Sequence, residues 1–142
     1  MLPEGYDIAE DSDFEYILDE DAPNAYENGV NGYYHYIGNS EFVIIPAKIR
    51  GNEIRDYYRM FDGTYVKGVY SDNPNITSMA FMFAGNYATS LDLRYLDTSS
   101  VTDMTGMFAS SQTTKLDLSS FDTSNVTKTD NMFSGCKAIT GY

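Results

Sequence analysis

An α/β solenoid, preceded by a β-rich N-terminal cap, is the fold class that the 142-residue sequence predicts. Three observations predict it. The string LDLSSFDTSNVT, beginning at Leu116, nearly restates LDLRYLDTSSVT, beginning at Leu91. Each copy opens with two-residue apolar alternation and closes with apolar spacing suited to a helical turn. A worn copy precedes both, so the period recurs often enough for stacked neighbours to complete one another's core.

Sliding the chain by 25 residues aligns Leu91 with Leu116, Leu93 with Leu118, Asp97 with Asp122, Val101 with Val126, Met107 with Met132 and Phe108 with Phe133. Ten of the 25 positions are identical. A further slide brings in a copy from Val66, with Tyr70, Asp72, Ile76, Thr77, Met79, Met82 and Phe83 in register and eight positions identical to the copy after it.

Within a unit, Leu91 and Leu93 fall on one face of a short strand while Asp92 and Arg94 point the other way. The D-T-S that follows ends the strand, because the Asp97 carboxylate can bond backbone just ahead of it. Thr102 stands where a helix N-cap belongs, with Asp103 in the first turn and Met104, Met107 and Phe108 at i, i+3, i+4. Thr129 replaces the first methionine of that stripe in the last copy, so the last coil is expected to pack less well. Asn86, Ser111 and Cys136 recur just after the turn, where small polar side chains can satisfy backbone groups at the bend. Cys136, distant in sequence from the single His35, reads as a half-buried filler.

Ahead of the repeats, Tyr33–Ile37 and Glu41–Ile45 flank the turn signal GNS and predict a hairpin. Phe14, Tyr16 and Leu18 alternate with acids and predict a further strand. Tyr58, Met60 and Phe61 precede DGT as Met82 and Phe83 precede AGN, which marks a degenerate turn before the first repeat. The expected organisation is a single domain: residues 1–60 an acidic, tyrosine-rich β-hairpin cap, and residues 61–142 carrying repeats at 66–90, 91–115 and 116–140.

No apolar run approaches the ~20 residues of a membrane-spanning helix. A net charge of -12 argues against a nucleic-acid partner, since phosphate backbones demand clustered cations. Ten of the acids lie in residues 1–30, which hold no Lys or Arg. They read as a solvated face, with DSD at 11–13 and DEDAPN at 19–24 the nearest approach to a calcium motif. No metal and no cofactor are expected. A single cysteine allows no internal disulfide. The first residues lack the basic-then-apolar pattern of a signal peptide. CKAITGY ends the last coil without a polar cap, leaving Val126, Met132 and Phe133 open; either the native sequence continues past Tyr142 or two copies associate end to end.

LDLSSFDTSNVT, followed by MF and GC, resembles the BspA-like leucine-rich repeat family of bacterial surface proteins over residues 66–140, and VIIPAKIRGNEI at 43–54 resembles their opening stretch. The resemblance implies right-handed coils with a short parallel sheet along one face, and a role in adhesion to a protein or glycan on a host or cell surface. An enzyme is not expected, because neither a convergent titratable set nor a phosphate loop is present. The candidate ligand-binding residues lie between the core leucines: Asp92, Arg94, Asp117 and Ser119, with Lys67 and Val69 in the worn copy. The alternative is a structural part of an assembly, such as a virion, phage tail or cell-wall appendage, in which the repeats form a spacer or joint.

Overall fold

Leu91 and Leu116 stand side by side in neighbouring parallel strands, a step of 25 residues apart. The computed structural model describes residues 2–138. In chain order its strands are β1 (Asp7–Ile8), β2 (Phe14–Leu18), β3 (Ala25–Glu27), β4 (Val30–Tyr36), β5 (Phe42–Ile44), β6 (Lys48–Ile49), β7 (Asn52–Glu53), β8 (Gly68–Ser71), β9 (Ser90–Leu96) and β10 (Lys115–Leu116). Strands β1, β5, β8, β9 and β10 pair in that order, all parallel. An antiparallel set runs β2–β4–β3, and β6 pairs with β7.

The expected hairpin between Tyr33–Ile37 and Glu41–Ile45 is absent. Strand β4 pairs with β2 and β3, whereas β5 joins β1 and β8 in the parallel sheet. The GNS segment therefore carries the chain from one sheet to the other. Its backbone is tied to Tyr36, whose hydroxyl accepts the Ser40 N–H at 3.0 Å.

A second ladder of parallel bridges links Asp56 to Ser78, Ser78 to Asp103 and Asp103 to Lys128. At its first three rungs the side chain accepts the N–H two residues on: Asp56 from Tyr58 at 2.9 Å, Ser78 from Ala80 at 3.2 Å and Asp103 from Thr105 at 2.9 Å. Lys128 has no acceptor to offer at the fourth.

From each rung the chain enters the Met/Phe stretch for which the sequence predicts a helix. The structure makes tight turns there instead, and the three-residue 3-10 turn Asp11–Asp13 is the only helix among the described residues. Two features explain this. Left-handed residues recur two positions before the phenylalanine, at Arg59, Phe81, Gly106 and Asn131, and two positions after it, at Gly63, Gly85, Ser110 and Gly135. A right-handed helix cannot run through them. The amides also alternate: Met107 and Ala109 bond within the turn to Met104 and Gly106, whereas Gly106 and Phe108 bond to Asp130 and Met132 of the next unit.

That alternation aligns the phenylalanines. Phe61, Phe83, Phe108 and Phe133 stack at centroid distances of 5.7, 6.0 and 5.6 Å, with ring planes 12°, 4° and 8° apart. Met60, Met79, Met82, Met104 and Met107 are buried around them. Each such side chain contributes about 1.5–3 kcal/mol through burial, and a stacked pair about 0.5–1.5 kcal/mol beyond it. At the bends, Asn86 and Ser111 are fully buried and accept the N–H of Ala88 and Thr113. Cys136 in the same column is half-buried.

Packing loosens in the last unit. Leu91, Leu93, Leu96 and Val101 are buried, but their counterparts Leu116, Leu118, Phe121 and Val126 are only half-buried. Leu118, Phe121 and Val126 open on a cavity of about 570 Å³ that Met104, Met132 and Phe133 also line. Residues 139–142, which include the end of the 116–140 repeat and of CKAITGY, lie outside the described residues.

At the other end, β4 supplies the donors that a preceding turn would. The Tyr36 N–H donates to the Met60 carbonyl at 2.9 Å, and His35 Nε2 lies 2.8 Å from the Asp62 carbonyl. In the next unit the matching carbonyls, of Met82 and Ala84, accept from Phe61 and Gly63. Because its partner is a carbonyl, His35 carries a proton on Nε2. Burial pushes the imidazole pKa down, but its bonds to Asp62 and the Asp62 charge outweigh this and raise it above the ordinary value. The raised folded-state value means this stabilisation is complete below the unfolded value of about 6.5 and is lost as pH rises through the folded one. His35→Gln, which keeps a donor, is therefore expected to destabilise most near pH 5 and least near pH 9, measured by urea unfolding across that range (about four pH units).

Candidate binding face on the parallel sheet

Strand β9 carries the candidate face, and a register shift decides what it displays. Gly68 of β8 faces Asp92, but Tyr70 faces Tyr95, so two residues of β9, Leu93 and Arg94, oppose the single Val69. Such a bulge bends the strand and re-aims its side chains. Leu91, Leu93 and Leu96 stay buried while Arg94 and Tyr95 both face outward.

The bulge also corrects one candidate. A uniform step of 25 sets Val69 beside the exposed Arg94; the actual step of 24 at this end of the strand places it in the interior, fully buried and opposite Val43. A one-residue slip exchanges the two faces of a strand. Val69 is a core residue and leaves the candidate set.

Asp92 and Arg94 come together. The Arg94 guanidinium lies 3.0 Å from the Asp92 carboxylate and 5.0 Å above the Tyr95 ring centroid. Tyr6, brought alongside through β1 and β5, donates its hydroxyl to Asp92 Oδ2 at 3.1 Å. Partial burial pushes the Asp92 carboxyl up, but the Arg94 and Tyr6 bonds outweigh it and hold the pKa below the usual carboxylate range. Burial and the bond to Asp92 raise the Tyr6 phenol well above its ordinary value, so it remains a donor at neutral pH.

Around this pair the rings form one cluster. Tyr6 meets Phe42 at 5.1 Å and Tyr95 edge-on at 5.7 Å, and Tyr95 meets Tyr70 at 6.2 Å. Gly68 makes the close approach possible: a Cβ there would lie 2.8 Å from both the Phe42 ring and the Tyr6 hydroxyl oxygen.

Asp117 and Ser119 stand apart from the cluster. Strand β10 ends at Leu116, and Asp117 Oδ1 accepts the Ser119 N–H at 2.9 Å in a turn. The Ser119 bonds hold the Asp117 carboxyl below its ordinary pKa. The Lys67 ammonium pairs with Glu41 at 2.8 Å, and its carbonyl accepts the Asp92 N–H at 2.7 Å.

Sequence reasoning missed the four rings. The signal was present for two of them, since Tyr70 and Tyr95 differ by the repeat step of 25. Tyr6 and Phe42 precede the repeats and carried no such mark. Of the acids first weighed for calcium, Asp13 takes the Glu10 N–H at 2.8 Å and Asp19 the Asp21 N–H at 2.9 Å within local turns, and Asp11 takes the Arg50 N–H at 2.9 Å from a distant segment.

A family profile described as Mycoplasma protein of unknown function, DUF285, matches residues 54–141, more than half of the sequence. The chain belongs to this family. The DUF285 match starts at the buried Ile54, two residues before the first bridge, and takes in every rung of the second ladder and the whole phenylalanine column. Comparison with curated proteins and with solved structures returns no match. No helix among the described residues is long and apolar enough to cross a membrane.

Proposed function

We propose that this DUF285 member is a non-enzymatic binding module of a surface-associated bacterial protein. Its 25-residue units wind as a right-handed, leucine-rich-repeat-like solenoid, and its sheet face engages a protein or glycan on a host or cell surface. The observation that carries the reading is the outward cluster of Tyr6, Phe42, Tyr70 and Tyr95 around the Asp92–Arg94 pair. Aromatic rings with polar tips and an oriented guanidinium give contact area at low entropic cost and are the side chains that dominate recognition surfaces. Repeat architectures present such groups over an extended sheet.

The half-open last unit favours a second reading, a joint in a larger assembly, because its apolar cavity offers a contact surface at one end of the stack. One experiment separates the two. The purified protein is screened on arrays of matrix proteins and glycans, and every hit is repeated with Arg94→Ala and Tyr95→Ala. Loss of affinity by about tenfold or more in both variants, some 1.4 kcal/mol, is expected for a ligand on the sheet face. Hits untouched by either substitution would remove this face from the proposal, and concentration-dependent sedimentation in the absence of any hit would favour assembly.

A further inference from the structure

Among the described residues, the two most exposed aromatic rings lie outside that face. Tyr65 is 69% exposed and Tyr87 51% exposed, yet their rings stack at 5.0 Å with planes 27° apart. They hold equivalent places, each one residue after the bend position filled by the half-buried Thr64 or the buried Asn86. Consecutive units thus set two large apolar rings against solvent. Isolated exposed apolar residues are ordinary, but a stacked pair beside a built cavity is not.

That cavity, of about 330 Å³, lies between Tyr65 and the Gly38–Glu41 segment, with His35, Tyr36 and Thr64 also lining it. Its walls are fixed. The Tyr36 hydroxyl holds the Ser40 N–H, the Ser40 hydroxyl donates to Asp7 at 2.8 Å and Lys67 holds Glu41 Oε2 at 2.8 Å. Gly38 lies so close on the Tyr36 ring that a Cβ there would overlap it. Between these anchors stands the Asn39 side chain, exposed and without a hydrogen-bond partner among the described residues. Charge at the cavity is balanced, Glu41 on its wall by Lys67, and Asp62 behind His35 by Arg59 at 3.1 Å.

We infer that this cavity is a binding site for one neutral hexose unit of a glycan, with the sugar's C–H face on Tyr65 and its hydroxyls on Asn39 and Glu41. The chemistry matches on each count. A phenol ring presents the apolar surface that a pyranose face covers, and Tyr87 backs it. A free primary amide both donates and accepts, as a pair of neighbouring hydroxyls requires, and the second Glu41 oxygen is left to accept. The volume lies at the small end of ligand pockets, suited to one ring and not to a folded peptide. Balanced walls on a chain of net charge -12 disfavour an anionic sugar.

The test titrates the ¹⁵N-labelled protein with methyl glycosides of glucose, galactose and mannose, and with N-acetylglucosamine, to about 50 mM, a range suited to the millimolar affinity of a single sugar ring. The expected result is saturable shifts at Asn39, Glu41 and Tyr65 with at least one sugar, weakened about tenfold by Tyr65→Ala and by Asn39→Ala and unchanged in Arg94→Ala. Both substituted side chains are exposed, so unchanged melting temperatures check that the variants fold. Shifts confined to Tyr70 and Tyr95, or no shift with any of the four sugars, would overturn the inference. The first of those outcomes would still support a ligand on the sheet face, so the two readings fail separately.

Discussion

Phe83→Ala is expected to cost about 3–5 kcal/mol of folding free energy, the range for removing a large aromatic from a close-packed interior. Phe83 is fully buried and has a ring on each side, Phe61 at 5.7 Å and Phe108 at 6.0 Å. Truncation therefore removes two stacked contacts and leaves a hole between turns that cannot close. The backbone resists collapse there, because Phe61 donates to the Met82 carbonyl and Phe83 to that of Met107. Urea unfolding followed by far-ultraviolet circular dichroism measures the loss, and the melting temperature should fall by about 10–20 °C. Phe133→Ala, at the half-buried end of the column, should cost roughly half as much. Equal losses at the two positions would show that the column does not act as a continuous core.

That column was legible in the sequence because the MF pairs ending at Phe83, Phe108 and Phe133 recur at a step of 25, with Met60–Phe61 standing 22 residues ahead of the first of them. The parallel pairing of β9 with β10 was legible for the same reason. What the repeat could not disclose was the bulge. Leu91, Leu93 and Leu96 are spaced two and then three apart, and a uniform alternation overlooks that change, which is why Val69 was set on the wrong face while Tyr95 went unnoticed. The predicted helical turn failed on backbone grounds: left-handed conformations at Phe81 and Ser110 are invisible in residue types that seldom adopt them. The first 60 residues have no internal period. Their strand partners were fixed by packing of tyrosines against one another and against the first turn, as Tyr16, Tyr26 and Tyr34 show, and a local turn signal such as GNS could not anticipate that.

One buried carboxylate helps tie those residues to the repeats, and Asp56→Ala is expected to cost about 3–5 kcal/mol through the donors it leaves unsatisfied. Asp56 accepts the Tyr26 hydroxyl at 2.7 Å, the Asn24 amide at 2.7 Å and the Tyr58 N–H at 2.9 Å. The Tyr26 oxygen in turn accepts the N–H groups of Arg55 and Asp56, at 2.9 and 3.1 Å. Strand β3 is thereby tied to the first rung of the ladder. Removing the carboxylate leaves three donors facing one another without an acceptor, each costing about 1–3 kcal/mol unless water enters. Asp56→Asn should do little better, since its NH₂ would meet the Tyr26 hydroxyl and the Asn24 amide. Asp56→Ser reproduces the side chain that the next unit uses at Ser78, so it should restore the bond to Tyr58 and recover only part of the loss. The order Asp56, Ser, then Asn and Ala in decreasing stability is the expected result in urea unfolding. Full stability in Asp56→Ser would show that the Tyr58 N–H alone matters and that Tyr26 and Asn24 find other acceptors at no cost.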